Sequence, residues 1–243
     1  MLKSVVTVFV GLLLALSASA NEAEIKKAME SRLGVKIDSV AKANYMGLYE
    51  VYANGEIFYT DEKVSAILAG GQLFDAKNMR NVTKERMGKF TAIRFSDLVL
   101  ERAIKQVRGD GKRVIATFED PNCGYCKRLA KDLLKLDNVT VYTFLYPILS
   151  EDSLQKSKQI WCSANPAKSW NEWMIEGKAL SGKTSCDTAA INKNLEFGQS
   201  LKSLITGAPA PISGTPTIIF ADGERFPGAL PLAEIEKKLA SIK

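Results

Sequence analysis

Two cysteines three residues apart, in Cys123-Gly124-Tyr125-Cys126, stand where an apolar run, Val114 to Phe118, gives way to a helical pattern from Lys127 to Lys135. That strand-to-helix junction constrains the chain more than any other feature. A thiol at the first turn of a helix lies beside unpaired backbone N–H groups and the positive end of the helix dipole, which favour a thiolate over a thiol. Cys123 therefore reads as a nucleophile. Cys126, one turn further in, is shielded from solvent and can reach back to close an intramolecular disulfide, releasing whatever is bound to Cys123. It reads as the resolving cysteine. The same spacing supplies half a zinc site, but zinc needs four ligands, and the chain holds no histidine and no second C-x-x-C. Without an imidazolium, the positive charge beside Cys123 has to come from the dipole, the backbone N–H groups and Lys127 or Arg128.

A second feature lies far away in sequence. Ser213-Gly214-Thr215-Pro216 leads straight into Thr217-Ile218-Ile219-Phe220, a β-branched apolar run that reads as a central strand. Proline cannot donate to a ladder and is confined to strand starts, edges and bulges. A cis Thr215-Pro216 bond would turn the backbone sharply here; an ordinary trans proline opening a strand is the other reading.

A strand, a C-x-x-C at a helix start and a later Thr-Pro before a strand resemble the thioredoxin fold, in which a cis-proline loop lies against the active-site disulfide. More closely, the run Phe118 to Lys127, Trp161-Cys162, Ser185-Cys186-Asp187, Ser213 to Pro216 and Pro227-Gly228 resemble the periplasmic disulfide isomerase family of DsbC and its relative DsbG. Gly124-Tyr125 matches the isomerase branch, whereas DsbG carries Pro-Tyr and DsbA-type oxidants carry Pro-His. The resemblance implies an N-terminal domain that dimerises and leaves two catalytic domains facing each other across a cleft. It also implies a membrane thiol reductase of the DsbD type as the partner that keeps the dithiol reduced, and Thr215 backbone groups beside Pro216 that pair with an extended substrate chain. No cofactor and no metal are implied.

Residues 1–20 read as a cleavable export signal: Lys3, then the apolar stretch Val5 to Leu16, then Ala18-Ser19-Ala20, with cleavage after Ala20 and delivery to the periplasm. In an oxidising compartment four cysteines allow three pairings, and the local pair Cys123/Cys126 leaves Cys162 with Cys186 as a structural disulfide. Inert free thiols are the alternative. The net charge of +6 is mild and its lysines are spread out, so solvated faces are expected and no nucleic-acid site.

Along the chain, Ile25, Ala28, Met29 and Leu33 give a short amphipathic helix over Glu24 to Leu33, ended by Gly34. Strands follow, with a hairpin at Asn54-Gly55 and a further pair around Ala66 to Leu68 and Gln72 to Asp75, turning at Gly70-Gly71. Some 60 residues alone bury a marginal core, and open strand edges invite a second copy, so a homodimer is expected. A monomer that covers its own edge is the alternative.

Thr83 is a cap candidate for a connecting helix, Val82 to Lys89. Leu98 to Val107 is predicted helical, and Val139 to Leu145 a strand. Ser153 to Ala164, Ala167 to Glu176 and Asp187 to Phe197 are predicted helices, with Trp161, Trp170 and Trp173 as their core and Asp187 as a cap. Glu119 and Asp120 lie near the cysteines; either can assist proton transfer from Cys126, or both can form a solvated turn before Pro121.

The expected architecture is thus an α+β N-terminal dimerisation domain joined by a linker helix to an α/β thioredoxin-like domain with a helical insertion. The boundaries are 1–20 for the signal, 21–81, 82–94 for the linker and 95–243, with the insertion at about 150–206. The expected function is isomerisation of wrong disulfides in misfolded exported proteins, with chaperone activity. A holdase indifferent to its cysteines and a DsbA-type dithiol oxidase are the rivals.

Overall fold

The computed structural model describes residues 21–242. The export signal expected over 1–20 lies outside the described residues. The chain forms two compact units that divide between Thr83 and Lys84.

In the N-terminal unit a helix, α1, covers residues 21–33, and Gly34 ends it at φ +66°. Ile25 and Met29 on its buried face pack with Ile37, Tyr49, Val51, Ala53 and Val64. Four strands form one antiparallel sheet in chain order: β1 (Ser39–Lys42), β2 (Tyr49–Ala53), β3 (Glu56–Thr60) and β4 (Ile67–Leu68). The β2–β3 hairpin turns at Asn54 and Gly55, both at positive φ, as a two-residue turn that matches strand twist demands.

The hairpin expected across Gly70-Gly71 does not form. β4 pairs with β3, whereas β5 (Phe74–Asp75) pairs with β6 (Arg80–Asn81). The turn chemistry of the second pair decides this: Asp75 Oδ1 accepts from the Lys77 N–H and Asn78 Oδ1 from the Arg80 N–H. Helix α2 (Val82–Phe90) follows β6 directly. Thr83 therefore sits inside the helix and does not cap it; its hydroxyl accepts from the Leu73 N–H and bonds the Tyr59 hydroxyl at 2.7 Å.

The C-terminal unit is built on a five-stranded sheet: β7 (Ile104–Arg108), β8 (Arg113–Glu119), β9 (Val139–Leu145), β10 (Thr217–Phe220) and β11 (Arg225–Pro227), in the order β11-β10-β8-β9-β7. Only β8 and β9 run parallel, joined by α3 (Gly124–Leu133). The helix expected over Leu98 to Val107 is replaced by two 3-10 turns, Phe95–Asp97 and Leu100–Arg102, and by strand β7. Ile104 is buried while Lys105 and Val107 are exposed, an alternation of period two, and β9 would otherwise leave one edge of its backbone unpaired.

Alternation along β8 separates the two faces of the sheet. Ile115 packs with Leu129, Leu133, Ile218, Phe220, Ile235 and Leu239, the last two from α7 (Leu232–Ser241). Ala116 and Phe118 pack on the other face with Phe144, Tyr146 and Ile219. Phe118 stacks on Phe144 at 4.7 Å between centroids. Three further helices lie between β9 and β10: α4 (Glu151–Trp161), capped by Ser150; α5 (Pro166–Met174), capped by Asn165; and α6 (Ala189–Ser200). Asp187 accepts from the Ala189 N–H, one residue outside the cap position itself. The helices end at Ser200, and the chain returns to the sheet through a loop with a single bridge, Lys202 to Pro209.

Candidate redox site

The end of β8 and the start of α3 bring the two thiols together. Cys123 is the N-cap of α3, in extended backbone, and its sulfur accepts from the Cys126 N–H at 3.4 Å. On its other side the Cys123 thiol donates to the Thr215 carbonyl at 3.3 Å, so the loop before β10 closes over the sulfur. Thr215-Pro216 is cis, and Pro216 O accepts from the Gly228 N–H, which ties Pro227-Gly228 to the same corner. Cys123 is buried but for a sliver, Cys126 wholly, and both are free thiols. Tyr125 between them is 63% exposed. Of the site residues singled out in the sequence, Cys123, Cys126, Thr215 and Pro216 meet, while Cys162 and Cys186 are bonded to each other.

Burial, and then the charge of Glu119, push the Cys126 thiol far above the ordinary thiol range. Glu119 is itself fully buried and its carboxyl is pushed up to about 7, chiefly by desolvation and against a bond from the Thr117 hydroxyl. The solvated turn expected for Glu119 and Asp120 is therefore wrong: both are inaccessible. Parity explains it, because Glu119 shares the face of Ile115 and Thr117 toward α3. Asp120 is spoken for on both oxygens, accepting from the backbone N–H groups of Asn122 and Leu149.

The helical insertion reaches the redox loop directly, which the sequence reading missed. The Trp173 indole N–H donates to Pro121 O at 2.7 Å, and the Lys127 and Lys156 ammonium groups lie over its ring at 4.5 and 4.7 Å. Asn122 donates to Asp152 and Ser153 of α4. Of the three tryptophans expected in the insertion core only Trp170 is fully buried; Trp161 donates to Asp187 O beside the disulfide.

Two family models match the chain: a disulfide bond isomerase protein N-terminal domain over residues 16–84, and a thioredoxin-like domain over residues 100–243. A probable thiol:disulfide interchange protein DsbC from Bordetella pertussis is 46% identical over 206 residues, covering 85% of this chain and 69% of that protein. The chain belongs to the DsbC family of thiol:disulfide interchange proteins. Thiol:disulfide interchange protein DsbC of Escherichia coli K12 is 25% identical over 91% of this chain and 89% of its own length. Among solved structures, a disulfide interchange protein from Neisseria gonorrhoeae matches with a TM-score of 0.51 at 36% identity, covering 59% of this chain and 96% of that one. The expected architecture, an N-terminal isomerase-family domain followed by a thioredoxin-like domain, is that of the family. Among the described residues Cys123 and Cys126 are the free thiols.

Proposed function

We propose that the chain isomerises wrong disulfides in exported proteins through Cys123 and Cys126, and that the isomerase-family membership and the Cys123 environment together support this reading. The observation that carries it is Cys123 Sγ at the helix N-cap, flanked by the Cys126 N–H and the Thr215 carbonyl. The Cys123 thiolate attacks one sulfur of a substrate disulfide; a Cys123–substrate bond forms and the other substrate sulfur leaves as a thiolate. That thiolate attacks other substrate disulfides in turn, until a substrate thiolate attacks the substrate sulfur of the mixed disulfide, which forms the native bond and releases Cys123 as its thiolate. Where rearrangement stalls, Cys126 gives up its proton and attacks Cys123 Sγ; the substrate leaves reduced and the protein keeps the two-electron disulfide. A membrane thiol reductase of the DsbD type would then return it to the dithiol. Glu119, the buried carboxylate whose charge Cys126 feels, is the group suited to take the Cys126 proton.

Thr215 and Pro216 offer a backbone edge beside the sulfur for an extended substrate chain, and the Cys162–Cys186 bond serves the insertion, not the exchange. The division of labour follows the boundaries expected from the sequence: an export signal over 1–20 that delivers the chain to the periplasm, residues 21–81 for dimerisation, 82–94 as the connection and 95–243 for catalysis. Open edges at β1 and β4 and the exposed Met46, Leu68, Phe74 and Met79 support pairing of two copies through the N-terminal unit. The same apolar surface supports a chaperone role.

The deciding experiment is reactivation of a scrambled-disulfide test protein by catalytic amounts of the reduced chain, run beside Cys123→Ala. Wild type restores activity and the variant does not. Oxidation of a reduced substrate without reactivation of the scrambled one would instead make the chain a dithiol oxidase. Sedimentation of the same sample checks the dimer.

A further inference from the structure

Proton removal from Cys126 is awkward in this site, because the thiol is buried and the proton it sheds has no direct way to water. Glu119 Oε1 is occupied by the Thr117 hydroxyl, itself 3.3 Å from the Thr143 hydroxyl across the β8–β9 ladder. Oε2 is buried and has no hydrogen-bond partner among the described residues. A buried carboxylate oxygen left in that condition calls for a partner. A small cavity is lined by Glu119 with Gln106, Arg108, Thr143 and Asn171 and, on its apolar side, by Leu133 and Trp170, and its size is that of about one water molecule. At its outer side the Asn171 amide donates to Gln106 Oε1 at 3.0 Å, and Gln106, Arg108 and Asn171 are all part-exposed. The cavity thus joins an unsatisfied buried acid to the protein surface. Both Gln106 and Asn171 stand outside the dithiol, one on the edge strand β7 and one on α5 of the insertion.

We propose that this cavity is a water site that bridges Glu119 Oε2 to the Gln106–Asn171 pair and forms the exit by which the Cys126 proton reaches solvent. The inference rests on the reading that Cys126 is the resolving thiol. In the resolving step the Cys126 S–H bond breaks and its proton passes to the Glu119 carboxylate. The Cys126 thiolate bonds to Cys123 Sγ, and the substrate sulfur leaves with the electron pair. Protonated Glu119 then hands its proton to the cavity water, which passes one on past Asn171 and Gln106.

The groups that face Glu119 are few. From β7 comes Arg108, whose guanidinium is committed to Leu133 O at 2.7 Å; from α3 comes Cys126; from β8 and β9 come the neutral Thr117 and Thr143; and α5 contributes only Trp170 and Asn171. Asp120, the other acid at the end of β8, has both oxygens on backbone N–H groups.

The test is single-turnover release of substrate from the Cys123 mixed disulfide of the full chain, followed from pH 5 to 9. Wild type is compared with Glu119→Gln, Asn171→Leu, Gln106→Met and Cys126→Ala, with alkylation of reduced Cys123 measured in parallel. Glu119→Gln is expected to slow release at least tenfold and to erase its inflexion near neutral pH. Asn171→Leu and Gln106→Met, which touch neither sulfur, are expected to slow release about three- to tenfold while Cys123 alkylation stays at the wild-type rate. In the infrared, the C=O stretch of protonated Glu119 is expected to shift in both cavity variants.

Wild-type release rates in both cavity variants, or an unmoved C=O band, overturn the exit. Release that survives in Cys126→Ala at the wild-type rate overturns instead the reading of Cys126 beneath it. If Asn171→Leu fails to fold, Gln106→Met alone carries the same comparison from the exposed strand edge.

Discussion

The two cysteine pairs of the C-terminal unit show how position, not residue type, assigns chemistry. Cys123 and Cys126 lie three residues apart at a helix start, buried, with one sulfur between a backbone N–H and a carbonyl and the other beside a buried acid. Cys162 and Cys186 lie 24 residues apart, bonded, and clasp the end of α4 to the segment before α6 at the protein surface. Cys162 is the C-cap of α4 and Cys186 stands two residues before the N-cap of α6, and both sulfurs are held in the bond. A disulfide needs only two sulfurs, whereas exchange needs a sulfur that can be attacked, one that can resolve, and a route for a proton.

The largest effect that would break this contrast is catalytic. Cys123→Ser should take scrambled-protein reactivation down at least about 100-fold, because a serine hydroxyl supplies no thiolate nucleophile at neutral pH. The double variant Cys162→Ser/Cys186→Ser should keep reactivation within about twofold. Equal losses in the two variants would erase the distinction.

Stability should follow the opposite order. Opening a loop of 24 residues costs about 3 kcal/mol on the chain-entropy account. Urea denaturation of Cys162→Ser/Cys186→Ser should show that loss. Oxidation of the Cys123/Cys126 pair closes, and reduction opens, so short a loop that far less is at stake.

Much of this contrast was legible in the sequence, and its limits are physical. Cys123-Gly124-Tyr125-Cys126 announces itself because the strand pattern before it and the helix pattern after it are local signals. Asn54-Gly55 does so because a two-residue hairpin turn needs positive φ at both positions, which Asn followed by Gly accepts. Residues 98–107 misled because Leu100, Ala103, Ile104 and Val107 also satisfy the i, i+3, i+4, i+7 spacing of a helix, and only β9, some 35 residues on, decides that Ile104 to Arg108 pairs as a strand. The pair at Gly70-Gly71 failed for a similar reason, since β3 competed for β4.

The sequence puts Glu119 near the thiols, as a proton acceptor for Cys126 or in a solvated turn, and the structure buries it. The missing signal was available: β8 reads as a central strand through Phe118, and Glu119 continues the buried face of Ile115 and Thr117 by simple alternation. Trp173 could not have been placed, because its bond to Pro121 joins positions 52 apart.

A third measurement sharpens the role of the buried acid. The Glu119 carboxyl titrates near 7 in the folded chain against an ordinary value of 4.5, so folding favours its protonated form. The stability this contributes is complete below about pH 4.5 and is lost as pH rises through 7. Between pH 5 and pH 8 wild type should lose on the order of 2 kcal/mol from this group alone. Glu119→Gln, which cannot ionise, should flatten that part of the profile and be the more stable protein at pH 8. A parallel profile for wild type and variant would mean that Glu119 is not desolvated in solution.

The smallest expected effect tests whether the two cysteine regions communicate. Trp173 lies on α5, between the disulfide-clasped end of the insertion and the redox loop, and its indole N–H is the donor to Pro121 O, two residues before Cys123. Trp173→Phe keeps a ring for Lys127 and Lys156 but removes that donor, which should cost about 1 kcal/mol and slow reactivation by a few-fold. The informative quantity is the coupling to Cys162→Ser/Cys186→Ser. If the disulfide only restrains the unfolded chain, the two changes act on different states and their free energies add to within about 0.5 kcal/mol. If it also holds α5 in place, loosening the clasp already weakens the Trp173–Pro121 bond, and the triple variant will lose less than the sum. Additivity in stability together with additivity in reactivation rate would leave the pairs as independent as their chemistry suggests. A shortfall in the rate alone would show that the disulfide acts on Cys123 through Trp173.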